Sequence, residues 1–423
     1  MIGGKVMFIN EQQQDKKLNF LVKIFILFSL LFPMKYTAIV GDYYDEFTIA
    51  NFFVGLIIVW AVFAFLKKWN LSDKKFIVYL ILLLITHDIC SLYFYFVYSR
   101  WIWEAFNFTL AVLLFLVLLL YGEHLLVSRE KVFAFVMRCQ LISTAIGIII
   151  YFMGYVGVLL QNGIITLKPH DSMYYEKRFN WLYPHKSQYC FILLLFIAFS
   201  VVYRRYHKSR KWFIASNIVF VFGIIISHTY SAIFGAALIY CGALIDYIKQ
   251  HLKKINKKYF LLLPISGICL CGVIYLMSRE RNIWTIGGRT YIWTAGIKEI
   301  LKNPIGIGEN FGNITFSVPG LSFEVNNCHN IFLNEMYRFS LPVGVLFTII
   351  FVSVMLYPIK KKFSFLFIGI LCGLLILLNM DYALMGGEYS ITFFYFYIIF
   401  YFSEYYGAAE PPVRTNGATS FLA

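Results

Sequence analysis

Charge is what this chain has least of. Only 14% of its 423 residues are Asp, Glu, Lys or Arg, against about 25% in a soluble globular protein. No long polar stretch is left over to fold as a separate soluble domain. The eight cysteines never fall in a C-x-x-C spacing. Seven of them (Cys90, Cys139, Cys190, Cys241, Cys269, Cys271 and Cys372) lie in apolar runs, and Cys328 stands alone in a polar segment. That pattern excludes a disulfide framework and a cysteine metal knot. Met1–Lys17 is polar, and the apolar run after it has no clear small-residue cleavage site, so a cleaved signal peptide is not expected.

What is present is apolar: 60% of residues are hydrophobic and 20% aromatic, with a mean hydropathy of +0.71. The composition reads as an all-α polytopic membrane protein. Length alone would allow two or three domains, but residues 1–406 read as a single transmembrane domain. A spanning helix needs about 20 mostly apolar residues. Twelve stretches qualify as candidates: Leu18–Val40, Thr48–Leu66, Phe76–Tyr98, Phe106–Tyr121, Val132–Leu160, Ser187–Tyr203, Trp212–Ser227, Tyr230–Tyr247, Tyr259–Met277, Leu341–Tyr357, Phe363–Asn379 and Tyr389–Tyr406. Residues 407–423 switch to small and polar types and read as a flexible cytoplasmic tail or an appended remnant.

The net charge of +15 invites a nucleic-acid reading, and its distribution argues against one. Most of the 37 Lys and Arg residues lie in the two tails and in Lys67–Lys75, Gly122–Lys131, Arg204–Lys211, Ile248–Lys258 and Pro358–Lys362. These are alternate loops, and they are placed inside by the positive-inside rule. Both termini are therefore expected in the cytoplasm of a cytoplasmic (inner) membrane protein. Two longer segments, 161–186 and 278–340, are placed on the outer face, the second as a large loop before the last three spans.

The outer segments hold the residues that could carry chemistry. The first has Lys168, His170, Arg178, His185 and Lys186; a turn near His228 lies between two spans; the second has Arg279, Arg281, Arg289, His329, Glu335 and Arg338. Basic residues outside run against the topological bias. They serve either lipid phosphates at headgroup level or a site. Gly288–Asn303 has helical periodicity, with Arg289, Ile292, Trp293, Gly296, Ile297 and Ile300 on one side, and Pro304 stops it. At about 15 residues with four charges, it suits a helix lying along the membrane surface. Asn330 lies within Asn326–Asn330, at the start of a short helical run, where Asn is a good cap. His329 would then sit in the first turn of that helix, where the amides and the positive end of the dipole favour anions. Arginine holds diphosphate in bidentate geometry and stays charged, and histidine can take a proton from a hydroxyl near neutral pH. Together they suit glycosyl transfer off a lipid diphosphate. No D-x-D-like pair occurs in these loops, so neither a metal nor another cofactor is expected.

The string from Gly287 to Phe347 resembles the signature region of the bacterial O-antigen ligase and O-antigen or capsule polymerase superfamily. The pattern is a G-R-x-x-x-W helix, a P-x-G-I-G turn, an H-N pair, and a helix with an acidic residue and a glycine. Arg289, Trp293, Pro304, Gly306, Gly308, His329, Asn330, Glu335 and Gly344 match it in order. The resemblance implies a metal-independent, inverting transfer from an undecaprenyl diphosphate-linked oligosaccharide, with Arg289 on the diphosphate and His329 serving the acceptor. Arg178, His185, Arg279, Arg281, His228, Asn330, Glu335 and Arg338 are the candidate substrate-binding residues. It also implies contact with membrane lipids and with chain-length regulator and flippase proteins. A middle-span arginine of the family is missing, since Ser227–Ala232 reads SHTYSA; Arg178, His228 or another loop arginine would have to supply it. A polymerase is favoured over a ligase that hands the glycan to lipid A–core. A lipid-linked oligosaccharide flippase is the rival of another class, and a structural scaffold the third.

Overall fold

The structure, a computed structural model, describes residues 20–30, 36–40, 43–47, 49–65, 74–98, 103–125, 129–161, 164–170, 178–183, 185–204, 210–251, 288–307, 316–319, 324–325, 327–380 and 388–401. The expected span Tyr259–Met277, Arg279, Arg281, Gly308 and the tail 407–423 lie outside them.

Apolar helices dominate. In chain order they are α1 (Phe20–Leu30), α2 (Ile49–Phe65), α3 (Lys74–Tyr98), α4 (Trp103–Leu125), α5 (Arg129–Phe152), α6 (Lys186–Val202), α7 (Arg210–Ile226) and α8 (Tyr230–His251). They continue with α9 (Arg289–Lys302), α10 (Ile331–Arg338), α11 (Leu341–Lys361), α12 (Phe365–Met380) and α13 (Glu388–Phe396), which runs on as a π-turn, Tyr397–Tyr401. The Tyr203 hydroxyl donates to the Ile398 carbonyl there, the kind of inserted group that widens a helical ladder. Among the described residues, four helices are long and apolar enough to cross a membrane: Lys75–Val97, Val132–Phe152, Tyr230–Lys249 and Leu341–Lys361. Seven shorter apolar helices accompany them. Along α3, large apolar side chains such as Val78, Ile85, Ile89, Phe96 and Val97 are exposed, more apolar surface than water tolerates. The chain is a mostly helical, membrane-embedded protein.

Two expected spans are shorter than their apolar runs. The run to Leu160 turns at Gly154, whose φ of 94° is left-handed. Tyr155–Gln161 (β3) then pairs antiparallel with Ile164–Pro169 (β4). Likewise Tyr36–Val40 (β1), expected at the end of the first span, pairs with Tyr43–Phe47 (β2). Valine, isoleucine and tyrosine suit a strand as well as a buried helix. A third small hairpin joins Phe316–Ser317 (β5) to Glu324–Val325 (β6).

The tightest seam lies between α8 and α12. A Cβ on Gly235 would meet the Gly373 carbonyl at 2.8 Å, and one on Gly242 would meet the Phe365 carbonyl at 2.3 Å. The two backbones touch, as small residues allow between membrane helices. One end of the seam is locked by Asp246. Its carboxylate accepts from the Phe365 and Leu366 amides, each at 3.0 Å, and from the Ser364 hydroxyl. A carboxylate from α8 thus caps the positive end of α12.

Gly373→Val is expected to destabilise the protein by about 1–3 kcal/mol or more through overpacking, read as a lower thermal midpoint and a smaller monodisperse fraction in detergent. Gly55→Ala, where a Cβ meets nothing within 4 Å, leaves both unchanged or slightly improved.

Candidate functional site

The site segment folds around its glycines. Gly296 faces Cys328, whose sulfur would lie 2.5 Å from an added Cβ, so α9 rests directly on the turn before α10. Gly306 has a φ of 93°, and a Cβ there would strike the Arg338 and Phe339 backbone at 2.8 Å. The Pro304 carbonyl accepts from Leu341 N–H at 2.9 Å, and Ile307 N–H donates to the Tyr337 carbonyl at 3.1 Å. The proline–glycine turn is thereby tied to the α10–α11 junction. A Cβ on Gly344 would lie 2.5 Å from the Met336 amide, so α11 can fold back on α10. Helix α9 buries Arg289, Ile292, Ala295, Gly296 and Ile300 and exposes Tyr291, Thr294, Ile297, Lys298 and Leu301. This is the two-faced helix expected, with Ile297 on the other side.

The α10–α11 junction is recessed. The Phe339 and His87 rings meet at 4.6 Å, and Ser340 Oγ lies 3.4 Å from Cys90 Sγ. Cys90 is eight residues below the end of α3 at Tyr98, or about 12 Å at 1.5 Å per residue. Phe332 and Phe339 pull the segment inward by packing on Phe347, Phe351 and Phe108.

Arg289 and the His329–Asn330 turn both end on α12. The Arg289 side chain, 8% exposed, donates from Nε to the Met380 carbonyl, the last residue of that helix. Asn330 Nδ2 donates to Asn379 Oδ1 at 2.7 Å. The Asn330 Oδ1 atom caps α10, accepting from Phe332 N–H at 3.0 Å and Leu333 N–H at 3.1 Å. His329 is half-buried, its amide donates to Asn327 Oδ1 at 2.9 Å, and its φ is 48°. Non-glycine residues seldom take this left-handed conformation, and it collects at functional sites. Among the described residues, the other two non-glycine cases are Trp181 and His228, both in segments singled out by the sequence.

The register of α8 against α12 relates the His228 turn to this end. Gly235 faces Gly373 in an antiparallel pair. Seven residues onward on α12 lies Met380, and seven residues back from Gly235 lies His228, so the two are roughly level. The His228 carbonyl accepts from Lys186 Nζ at 3.3 Å, and Lys186 is 8% exposed. Two cations, Lys186 and Arg289, therefore dock on two carbonyls at one end of the seam. The sequence places Lys186 among the outer basic residues but not among the candidate substrate-binding residues. Its signal was a lysine at the first turn of an apolar helix, which membrane-interface lysines share.

Other candidates are placed elsewhere. His185 caps α6: its Nδ1 accepts from Ser187 N–H at 3.3 Å, and its own amide donates to Gln188 Oε1 at 3.1 Å. Arg178 is half-buried and leads into Phe179, which packs between Tyr151 and Tyr189. Glu335 and Arg338, expected to meet substrate, are each 1% exposed and lie 3.9 Å apart. The Tyr389 hydroxyl donates to Glu335, and Arg338 stacks on Phe339 at 5.0 Å. An amphipathic eight-residue helix carried them inward because its partners are α11 and α13 rather than water. Burial pushes the Glu335 carboxyl up to about 8, with the Tyr389 hydrogen bond pulling the other way. The guanidinium at 3.9 Å is too far to bond it. Burial likewise pushes the Cys328 thiol up to about 12, so it stays protonated and inert at neutral pH. Among the described residues, no three of His, Cys, Asp and Glu come together to hold a metal ion. No family model, curated protein or solved structure matches this chain.

Because the folded-state pKa of Glu335 is raised, the native state holds more protons than the unfolded chain between about pH 4.5 and about 8. Stability therefore falls as pH rises through that window, and the cost is complete above it. Glu335→Gln should flatten that slope and raise the thermal midpoint at about pH 9, measured by thermal unfolding in detergent from about pH 5 upward.

Proposed function

We propose that this chain is a membrane glycosyltransferase that lengthens oligosaccharide repeat units carried on a polyprenyl diphosphate, working at the outer face of the cytoplasmic membrane. One observation carries the reading: the arginine and the histidine–asparagine pair that the sequence pattern puts together dock on consecutive residues of one helix end, Met380 and Asn379. They come from segments 40 residues apart and reach a third element.

The chemistry follows from the residue types. A diphosphate carries negative charge that grows on its bridging oxygen as the glycosidic bond breaks. Arg289 offers a planar set of donors to it. Lys186, level with Arg289 across the seam, offers a second positive charge. It stands where the sequence lacks the middle-span arginine, since it bonds the turn formed by Ser227–Thr229. The acceptor hydroxyl attacks the anomeric carbon from the face opposite the leaving group. The new C–O bond forms as the bond to diphosphate breaks, the polyprenyl diphosphate departs, and His329 takes the hydroxyl proton. Attack from the opposite face inverts the anomeric centre. Every charge needed for the leaving group is supplied by the chain itself. Glu335 and Arg338 are left with a supporting role, holding α10 against α11 and α13 so that the His329 turn stays seated.

Arg289→Ala and His329→Ala are expected to abolish glycan lengthening while the protein accumulates in the membrane at normal levels. Loss of a general base alone costs about 100- to 10,000-fold. Lys253→Ala, in a loop placed on the opposite face, leaves chain length unchanged. Gel analysis of the glycan ladder in cells carrying each variant decides it, and full-length glycan from either site variant contradicts the proposal.

A further inference from the structure

Asn379 lies in the last turn of an apolar helix and was invisible as a candidate. Its Nδ2 donates back to the Leu375 carbonyl at 2.8 Å, which fixes the amide and leaves Oδ1 aimed away from the helix. That oxygen receives Asn330 Nδ2 at 2.7 Å. Asn330 has its other amide atom committed to the first turn of α10, so the side chain is held at both ends. His329 sits between this bridge and the Asn327 side chain that accepts its amide hydrogen at 2.9 Å, in a left-handed conformation that needs support from outside. The next residue of α12, Met380, receives Arg289. Such a helix end has carbonyls free of helical partners and a negative dipole end, both suited to a guanidinium.

We propose that Asn379 is a positioning residue: through its bridge to Asn330 it sets the His329 turn in register with Arg289 on the same helix end. The inference rests on the glycosyltransferase reading for its kinetic consequence, but its geometric claim stands apart from it. Asn379 touches neither reacting atom. It acts by fixing where the imidazole stands relative to the guanidinium, and a misplacement of about an ångström costs about 100-fold in rate.

Two readouts on the purified full-length protein test it. The first is the rate at which diethylpyrocarbonate modifies His329, mapped by mass spectrometry and normalised to the exposed His228. The second is the split between kcat and KM for a lipid diphosphate-linked repeat unit. Asn379→Leu is expected to change the normalised His329 rate severalfold and to lower kcat about 10- to 100-fold, with KM within about twofold because the charges on the diphosphate remain. Asn379→Asp keeps the acceptor oxygen and should restore the His329 rate. If Asn379→Leu does not accumulate, Asn330→Ser serves instead. Serine still caps a helix but cannot reach Asn379, so it should reproduce the change. Unchanged His329 reactivity and unchanged kcat in Asn379→Leu, or in Asn330→Ser, overturn the proposal. If His329→Ala is inactive while Asn379→Leu is fully active, positioning fails and the transferase reading stands. If His329→Ala is fully active, the transferase reading fails, and the modification rate alone decides the positioning claim.

Discussion

The C-terminal end of α12 is the point on which the candidate site depends. Helix ends leave carbonyls without partners, and inside a membrane protein each must find one. Here Met380 finds the Arg289 side chain, and the Asn379 amide finds Asn330. The end is held fixed along its whole length. Glycines on α8 and α12 bring the two backbones into contact, and Asp246 clamps the far end through three hydrogen bonds. A rigid rod thus presents two acceptors at fixed spacing, and two separate stretches of the site segment take their places from it. The α8 partner carries the His228 turn to the same level, with Lys186 attached.

Much of the site segment was legible because its signals are local. The three- and four-residue spacing of Arg289, Trp293, Gly296 and Ile300, ended by Pro304, gave α9 nearly to the residue, although Trp293 is only half-buried and Ile297 faces out. An asparagine cap announced α10, but the cap is Asn330, so His329 precedes the helix instead of lying in its first turn. Three glycines of the site segment have structural reasons in the fold. Gly296, Gly306 and Gly344 each sit where a side chain would strike a neighbour. What those glycines achieve is the approach of Cys328, the α10–α11 junction and Met336, none of which a linear reading can show.

The rest was hidden by two physical facts. An apolar β-branched run looks alike as strand or helix, so β1 and β3 were absorbed into spans, and only the left-handed turn at Gly154 separates α5 from its hairpin. Partners distant in sequence leave no periodic trace: Asn330 meets Asn379, Arg289 meets Met380 and Lys186 meets His228 through tertiary packing alone. The same packing explains Glu335 and Arg338. As side chains of a short polar-looking helix they suited a wet loop, but Phe332 and Phe339 anchor that helix among aromatic rings. The adjacent His87 and Asp88 find each other at 3.1 Å, and Asp88 also accepts from the Thr109 hydroxyl at 2.8 Å, a pairing that buries the imidazole and leaves the carboxylate partly exposed.

The proposed reaction asks little of the fold beyond this arrangement: fixed positive charge for a departing diphosphate, and a neutral base beside it. The central claim is that this pair of groups serves glycosyl transfer between lipid-linked units. The most direct measurement is incubation of the purified, reconstituted protein with polyprenyl diphosphate-linked repeat units as the only glycan, followed by resolution of the products by size. The account predicts a ladder of products, each longer by one repeat, with release of free polyprenyl diphosphate. Unchanged starting material, or repeat units carried across the vesicle membrane without any lengthening, would contradict it.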